Sequence, residues 1–200
     1  MTSPPRTSAR GTQPFWRPSR SRSPGRRRVQ AVVDAEAAEI VAALKRRRGG
    51  NPELLAYKEN GRWVDIKSAD INAYVKQVTG GDYTAKDFRT WNATVLAAVG
   101  LAVSGPAATA SKTARKRAAT RAVKEVAHYL GNTPAVCRAS YIDPRVFDAY
   151  RAGLIIRPAL EQAADLDEGE LPIHHRAVEE AVLDLIDERE RSPRLEKLAA

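Results

Sequence analysis

The sequence predicts a mainly α-helical domain with one small β-hairpin near its start. Apolar residues recur at intervals of three and four over most of the chain, which is typical of helices with one buried face. Glycines and prolines stand at the ends of these stretches, where they stop and start helices. Asn60-Gly61 lies between two short extended segments and favours a hairpin turn. The 43% hydrophobic fraction of the 200 residues is enough for one core of ordinary size.

The net charge of +9 is unevenly distributed along the chain. Residues 1–28 contribute +8, residues 29–159 contribute +8, and residues 160–200 contribute −7. Basic charge favours polyanions, whereas the acidic end should repel them.

Cysteine and histidine usage excludes several classes of protein. The single cysteine, Cys137, excludes an internal disulfide, and the three histidines show no zinc spacing. Cys137 is therefore predicted to be a small buried apolar residue and not a nucleophile, since no neighbour in sequence acts as a base. No apolar run is long enough for a membrane span or a signal peptide. We expect a soluble protein of a reducing cytoplasm.

The first 28 residues are rich in Pro, Ser and Arg and lack apolar periodicity, which predicts disorder. Their composition suggests a transit peptide, but five prolines would break the amphipathic helix that such a peptide needs. A non-specific nucleic-acid arm and an unselected leader both remain open.

Three elements are predicted before residue 82. The first helix spans Val33–Arg48, and its apolar stripe comprises Val33, Ala37, Ile40, Val41 and Leu44. Strands Leu54–Tyr57 and Arg62–Ile66 form the hairpin. A second helix, capped by Ser68, runs to Val78 with a stripe predicted to face the core: Ile71, Tyr74, Val75 and Val78.

The next two helices are longer. Thr84 and Asp87 form a capping box at the start of the first, whose buried stripe is predicted to be Phe88, Trp91, Val95, Val99 and Ala102. Arg89 lies at the edge of that stripe. A loop over 104–111 leads to the helix Lys112–Leu130, whose core stripe is predicted to be Ala119, Val123, Val126 and Leu130. The opposite face is basic, with Arg117, Arg121, Lys124 and His128. Solvated faces usually mix charge signs, so this one favours phosphate contact.

Short helices follow the second long one. Gly131 stops it, and Thr133-Pro134 starts a short helix that places Tyr141 at its end. Asp143-Pro144 starts another helix through Tyr150. Residues 158–174 are predicted to be an acidic loop. A last helix spans His175–Glu190, with one apolar side formed by Val178, Ala181, Val182, Leu185 and Ile186. Packing on the domain and docking elsewhere both remain open for it.

Two of these segments carry a family resemblance. The stretches Thr84–Ala98 and Leu130–Asp143 resemble the C-terminal catalytic region of type IB DNA topoisomerases, particularly the small bacterial and poxvirus-like forms. The resemblance extends from about Val29 to Ile156. It implies the C-terminal half of that catalytic domain over residues 29–157, between the disordered leader 1–28 and an acidic tail, 158–200.

The resemblance also implies the site residues and partners. Tyr141 would be the nucleophile, Arg89 a phosphate-clamping arginine and Asn132 a second phosphate ligand, a position where the family carries histidine or asparagine. Further DNA contacts are expected from basic side chains, namely Lys86, Arg117, Arg121, Lys124 and Arg138. The reaction would relax supercoiled duplex DNA through a 3′-phosphotyrosyl intermediate, without ATP, metal or cofactor. We expect a monomer associated with the bacterial nucleoid and no membrane partner.

The residue types suit this chemistry on physical grounds. Phosphodiester transfer needs an oxygen nucleophile and donors to the non-bridging oxygens, where negative charge accumulates. Arginine fits a phosphate through a planar fork, and an asparagine amide adds a neutral donor. A free phenol has a pKa of about 10, so its ionised form needs nearby positive charge. Arg89 is the candidate for that charge.

Two alternatives and one expected defect accompany this hypothesis. A tyrosine recombinase would normally show a His-x-x-Arg motif, whereas the sequence here is Lys86-Asp87-Phe88-Arg89. A DNA-binding remnant without catalysis is the other alternative. The family also uses a second arginine and a general-acid lysine, both of which precede the region matching Val29 onward. The leader contains no recognisable motif for either, so we expect an N-terminally truncated and impaired enzyme.

Overall fold

The computed structural model describes residues 35–105, 111–164 and 175–198. The predictions for the leader 1–28, for Val33, for the centre of the loop over 104–111 and for residues 165–174 of the acidic loop lie outside these ranges. Within the ranges the chain forms eight helices and four short strands. The predicted class, mainly α with a small hairpin, is confirmed.

The hairpin lies between the first two helices. The elements are α1 (Ala35–Arg46), β1 (Ala56–Glu59), β2 (Arg62–Asp65) and α2 (Ser68–Thr79). The strands pair antiparallel, and Asn60 and Gly61 take φ of 48° and 81° at the turn. Two consecutive positive φ angles are the geometry for which an Asn-Gly pair is favoured. The turn is therefore confirmed, although β1 begins two residues later than predicted.

The apolar faces of α1 and α2 are not part of the core. No residue of either helix is buried, and Ile40, Tyr74 and Val78 are 61%, 66% and 65% exposed. The prediction that the α2 stripe faces the core is wrong, because a periodic pattern specifies an apolar face but not the element that covers it. The cap of α2 also differs: Ser68 is its first helical residue, and the Lys67 N–H donates to the Asp70 carboxylate at 2.7 Å.

The core is built around α3 (Ala85–Val103) and α4 (Lys112–Leu130). These helices approach closely because small residues face each other: a Cβ added at Gly100 would lie 3.3 Å from the Ala122 Cβ. On α3 the predicted stripe is buried at Val95, Val99 and Ala102 and partly buried at Trp91, but Phe88 is 49% exposed. Phe88 lies in the first turn of α3, outside the packed core, so that prediction is wrong.

The α4 stripe is partly as predicted. Val123 and Val126 are buried, and Ala119 and Leu130 are half-buried. The remaining buried positions of the helix are alanines, at 118, 122 and 127. The contact surface of α4 is thus broader than the predicted stripe and richer in small side chains.

The last third of the chain packs onto the same core. Its elements are α5 (Pro134–Ser140), α6 (Pro144–Arg151), β3 (Leu154–Ile155), α7 (Arg157–Ala164), α8 (Arg176–Ile186) and β4 (Glu196–Lys197), with β3 and β4 paired antiparallel. The caps of α5 and α6 are those predicted, because Thr133 Oγ1 accepts from the Val136 N–H and Asp143 Oδ1 from the Arg145 N–H. The prediction of a loop from residue 158 is wrong for 158–164, which are helical.

Helix α8 is an integral part of the fold. It contacts α3, α6 and α7, and its predicted apolar side is fully buried: Val178, Ala181, Val182, Leu185 and Ile186. The Trp91 Nε1–H on α3 donates to Glu179 at 3.0 Å. These contacts decide between the two alternatives, and the helix packs on the domain.

Acidic groups of the tail are paired within the tail itself. The Asp184 carboxylate is buried, accepts from the Ser192 hydroxyl at 2.7 Å and forms an ion pair with Arg194 at 3.0 Å. The Ser192 bond, followed by the arginine contacts, lowers the pKa of Asp184 against the opposing effect of burial. Part of the negative charge of this segment is therefore neutralised by contacts that stabilise the fold.

The helices described by the structure are all too short or too polar to span a lipid bilayer.

Candidate active site

Tyr141 stands between two short helices, as predicted. It caps the C-terminus of α5, where its N–H donates to the Cys137 carbonyl at 3.0 Å, and α6 begins three residues later. The side chain is half-buried against the core. The phenol is therefore held by the packed domain without being enclosed by it.

Arg89 joins three parts of the structure. It projects from α3, its Cζ lies 5.1 Å from the centroid of the Tyr141 ring, and its Nη2 donates to the Leu130 carbonyl at 2.7 Å. The bond to Leu130 anchors the guanidinium at the C-terminus of α4. A guanidinium has five N–H donors, so this contact leaves capacity for an oxyanion.

Asn132 lies at the same end of α4. Gly131 takes φ of 69°, and the Asn132 N–H returns to the Ala127 carbonyl at 2.9 Å, which closes the helix in a left-handed cap. The Asn132 Nδ2 is buried and finds no hydrogen-bond partner among the residues that the structure describes. A buried unpaired donor costs about 1–3 kcal/mol. An acceptor that reached this amide would therefore be favoured.

The three predicted catalytic residues are thus brought to one region. Arg89 contacts the Tyr141 ring and the Leu130 carbonyl, and Leu130 precedes Asn132 by two positions. The region combines a phenol hydroxyl, a guanidinium and a buried amide donor. An oxygen nucleophile and oriented donors are among the groups that transfer of a phosphodiester to a tyrosine uses.

Cys137 is buried, and its carbonyl accepts the Tyr141 N–H. Its exposed fraction is 0%, and burial raises the pKa of the thiol, although the charge of Arg89 acts in the opposite direction. The prediction of a small buried apolar residue is confirmed. In the described ranges, no three side chains of His, Cys, Asp or Glu are grouped so that they could hold a metal ion.

A basic groove runs along the outer face of α4. We call this feature the α4 groove, and it is lined by Thr113, Lys116, Arg117, Thr120, Arg121 and Lys124. Three of the five predicted DNA contacts, Arg117, Arg121 and Lys124, lie in it. Lys116 was not among the predicted contacts. The sequence contained a signal for it, because Lys116 lies eight positions before Lys124, on the same face of a helix about two turns away.

The electrostatics of the α4 groove are less uniform than predicted. Burial raises the pKa of Glu125, whereas the charge of the neighbouring Arg121 acts in the opposite direction. An acid therefore accompanies a face predicted to carry none. At 1.5 Å per residue the groove begins about 9 Å from Leu130 along α4, at Lys124, and extends to about 26 Å, at Thr113. A groove of this length could follow several phosphates of one strand.

The other two predicted contacts lie outside the α4 groove. Lys86 is exposed in the first turn of α3, three positions before Arg89. Arg138 is exposed on α5, and its Cζ lies 4.4 Å from the centroid of the Phe147 ring. That stacking orients the Arg138 guanidinium on the helix that precedes Tyr141.

One polar residue near the site was missed altogether. Thr94 is only 2% exposed, and its Oγ1 accepts from the Asp143 N–H at 3.1 Å. The sequence contained a signal, because Thr94 is a hydroxyl residue between the buried residues Ala93 and Val95. Its partner is 49 positions away and could not be inferred from that pattern.

Comparison with known families gives one match over this region. The model of the eukaryotic DNA topoisomerase I catalytic core matches residues 26–152. The matched range contains Arg89, Asn132 and Tyr141 and ends after α6, so α7 and α8 lie beyond it. None of the curated proteins matches the chain.

Proposed function

The chain belongs to the DNA topoisomerase I catalytic-core family, and on that premise we propose that Tyr141 is the nucleophile of a type IB topoisomerase of the bacterial and poxvirus-like subtype. Membership of the family supports DNA topoisomerase function, an isomerase activity with DNA as the partner. The contact of the Arg89 guanidinium with the Tyr141 ring, 5.1 Å from Cζ to the ring centroid, is the observation that carries the proposal.

The proposed reaction is a reversible phosphoryl transfer. The Tyr141 hydroxyl oxygen attacks a backbone phosphorus, and the new P–O bond forms as the bond to the 5′-oxygen breaks. The phenolic proton leaves to solvent, and the departing 5′-oxygen takes a proton from solvent. The product is a 3′-phosphotyrosyl link with a free 5′-hydroxyl. The broken strand swivels, and the hydroxyl reverses the transfer. ATP is not consumed, because the energy of the broken bond is kept in the link to tyrosine.

Arg89 and Asn132 would stabilise the charge that develops on the non-bridging oxygens. Donors that are already oriented before the reaction are the most effective, because they need no reorganisation when the charge appears. Arg89 is anchored by its bond to the Leu130 carbonyl, and the Asn132 amide has an unpaired buried N–H. Both features support the assignment of these two residues as phosphate ligands.

The α4 groove would bind the DNA backbone beside the site. Arg117, Arg121 and Lys124 supply its charge, and Lys86 and Arg138 would add phosphate contacts nearer to Tyr141. Such contacts position a duplex without reading its sequence. We infer a monomer acting on the DNA of the bacterial nucleoid.

We further infer that the 200-residue chain relaxes DNA slowly. Among the basic side chains that the structure describes, Arg89 is the one whose guanidinium lies against the Tyr141 ring. The family chemistry also calls for a second arginine and a general-acid lysine. Loss of general-acid help typically lowers a rate by about 10²- to 10⁴-fold. Relaxation as fast as that of a relative carrying both groups would refute this inference.

The nucleophile can be tested with a suicide substrate, a duplex whose cleaved 5′ fragment dissociates and so traps the covalent adduct. The unmodified chain should form an adduct that survives denaturing electrophoresis, and Tyr141→Phe should form none while binding the duplex equally well. Tyr74→Phe provides the matched control, because Tyr74 is 66% exposed on α2, a helix that contributes no residue to the site. An adduct that persists in Tyr141→Phe would refute the assignment.

The two alternatives give different results in the same experiment. Binding without any adduct would identify a non-catalytic DNA-binding protein. A Tyr141 adduct followed by joining of strands from two different duplexes would identify a tyrosine recombinase. A Tyr141 adduct followed by resealing of the same strand, with supercoils lost, supports the proposed topoisomerase.

A further inference from the structure

Thr94 makes a buried connection between the helix of Arg89 and the segment of Tyr141. Its Oγ1 accepts from the Asp143 N–H at 3.1 Å and donates to the Thr90 carbonyl at 2.8 Å. The Tyr141 carbonyl lies 3.4 Å from the same oxygen. The residue is 2% exposed in an otherwise apolar part of α3.

The direction of these bonds follows from the chemistry of a hydroxyl. Threonine has one proton to donate, and the shorter contact assigns it chiefly to the Thr90 carbonyl. With the proton held there, an oxygen lone pair is free to face the Asp143 N–H. The rotamer of Thr94 is therefore determined by its own helix, and the Tyr141–Asp143 turn bonds to a preset acceptor.

This arrangement fixes Tyr141 on both sides. Its own N–H is held by the Cys137 carbonyl at 3.0 Å, and the backbone two residues later is held by Thr94. Arg89 projects from the same helix as Thr94, five positions earlier. Arg89 and Tyr141 are thus connected through a short path whose central residue, Thr94, is buried.

We propose that Thr94 is a positioning residue that sets the location of Tyr141 relative to Arg89. This role rests on the proposed function of Tyr141 as the nucleophile. Removal of the hydroxyl leaves the Asp143 N–H unpaired in the protein interior, and the turn must shift to find another acceptor. A displacement of about 1 Å between reacting groups can lower a rate by about 100-fold.

The first test is single-turnover adduct formation on the suicide duplex at saturating DNA. Thr94→Val removes the hydroxyl with little change of shape, and Thr94→Ser restores it. Thr79→Val is the matched control, because the Thr79 hydroxyl donates to the Val75 carbonyl at 2.8 Å on α2, outside the site. We expect Thr94→Val to be slower by about 10- to 100-fold with unchanged DNA affinity, and both Thr94→Ser and Thr79→Val to match the unmodified chain.

Two results would overturn the proposal. One is a Thr94→Val rate equal to that of the unmodified chain, and the other is a Thr94→Ser rate as low as that of Thr94→Val. Should Thr94→Val fail to fold, Thr94→Ala also lacks the hydroxyl and takes its place in the comparison.

A second measurement separates this inference from the proposed function. Nuclear Overhauser effects between the Arg89 side chain and the Tyr141 ring report their contact in the chain without DNA. Thr94→Val should weaken them and speed amide exchange at Asp143, and unchanged effects would overturn the positioning role. A chain that forms no Tyr141-dependent adduct but shows these changes would refute the proposed function and leave the positioning role supported.

Discussion

Two leucines of α8 provide a matched test of whether the last helix belongs to the core. Leu185 is 3% exposed and Leu183 is 48% exposed on the same helix. Leu185→Ala removes buried methyl groups and leaves a cavity, which costs about 2–5 kcal/mol. Leu183→Ala makes the same chemical change on a half-exposed position and should cost little.

The size of the effect can be expressed as a melting temperature. For a domain of 150–250 residues, 1 kcal/mol shifts Tm by about 2–4 °C. A loss of about 3 kcal/mol for Leu185→Ala therefore predicts a drop of about 6–12 °C in a single transition, measured by circular dichroism. The drop should be accompanied by an equal destabilisation of α3, since α8 contacts that helix directly.

The expected result depends on α8 being packed and not appended. A detached acidic tail would melt separately, and both alanine variants would then leave the main transition unchanged. Equal Tm values for Leu185→Ala and Leu183→Ala would therefore refute the reasoning. A second, low-temperature transition confined to Leu185→Ala would do so as well.

Three further predictions concern charge and hydrogen bonding. Arg121→Gln should reduce the slope of log affinity for duplex DNA against log salt concentration by about 0.9, the value for one lost phosphate contact. Arg176→Gln is the control and should leave the slope unchanged, because Arg176 is exposed at the start of α8 and paired with Glu180. A salt-independent affinity of the unmodified chain would contradict the proposed backbone binding. The pKa of Asp184 is lowered in the folded chain, so its contribution to stability is present above the ordinary Asp pKa of about 4 and is lost as pH falls through the folded-state pKa. Asp184→Asn should therefore flatten the acid side of a curve of Tm against pH. Trp91→Phe removes the hydrogen bond to Glu179 and should lower the free energy of unfolding, measured in urea, by about 1–3 kcal/mol. Glu179→Gln keeps an acceptor and should lower it by less.

Local features of this fold could be predicted because their causes lie within a few residues. The Asn60-Gly61 turn needs only two residues that accept positive φ. The Thr84 and Asp87 capping box joins groups three positions apart, and its Thr84 N–H donates to the Asp87 carboxylate at 2.8 Å. The helix boundaries at Lys112 and Leu130 were also predicted, and both have local causes in the structure: Ser111 Oγ accepts from the Ala114 N–H, and Gly131 takes a positive φ.

The candidate site was partly predictable for a different reason. Arg89, Asn132 and Tyr141 stand in two motifs of specific residue type, order and spacing, and those motifs carried the family resemblance. The contacts among these residues could not be derived in the same way. The Arg89 bond to Leu130 spans 41 positions, and nothing in the local pattern of either segment identifies the other as its partner.

The sequence by itself determined seven of the eight described helices, the caps of α3, α5 and α6, the hairpin turn and the residue types of the site, because each depends on interactions between near neighbours in the chain. Tertiary structure alone decided which apolar stripes are covered: those of α1 and α2 are left largely exposed, whereas that of α8 is fully buried. It also decided the pairing of Trp91 with Glu179, 88 positions apart, and of Thr94 with Asp143, 49 positions apart. An amphipathic pattern or a lone polar residue indicates that a partner is needed, but the packing of the remaining elements determines which partner is close enough to make the contact.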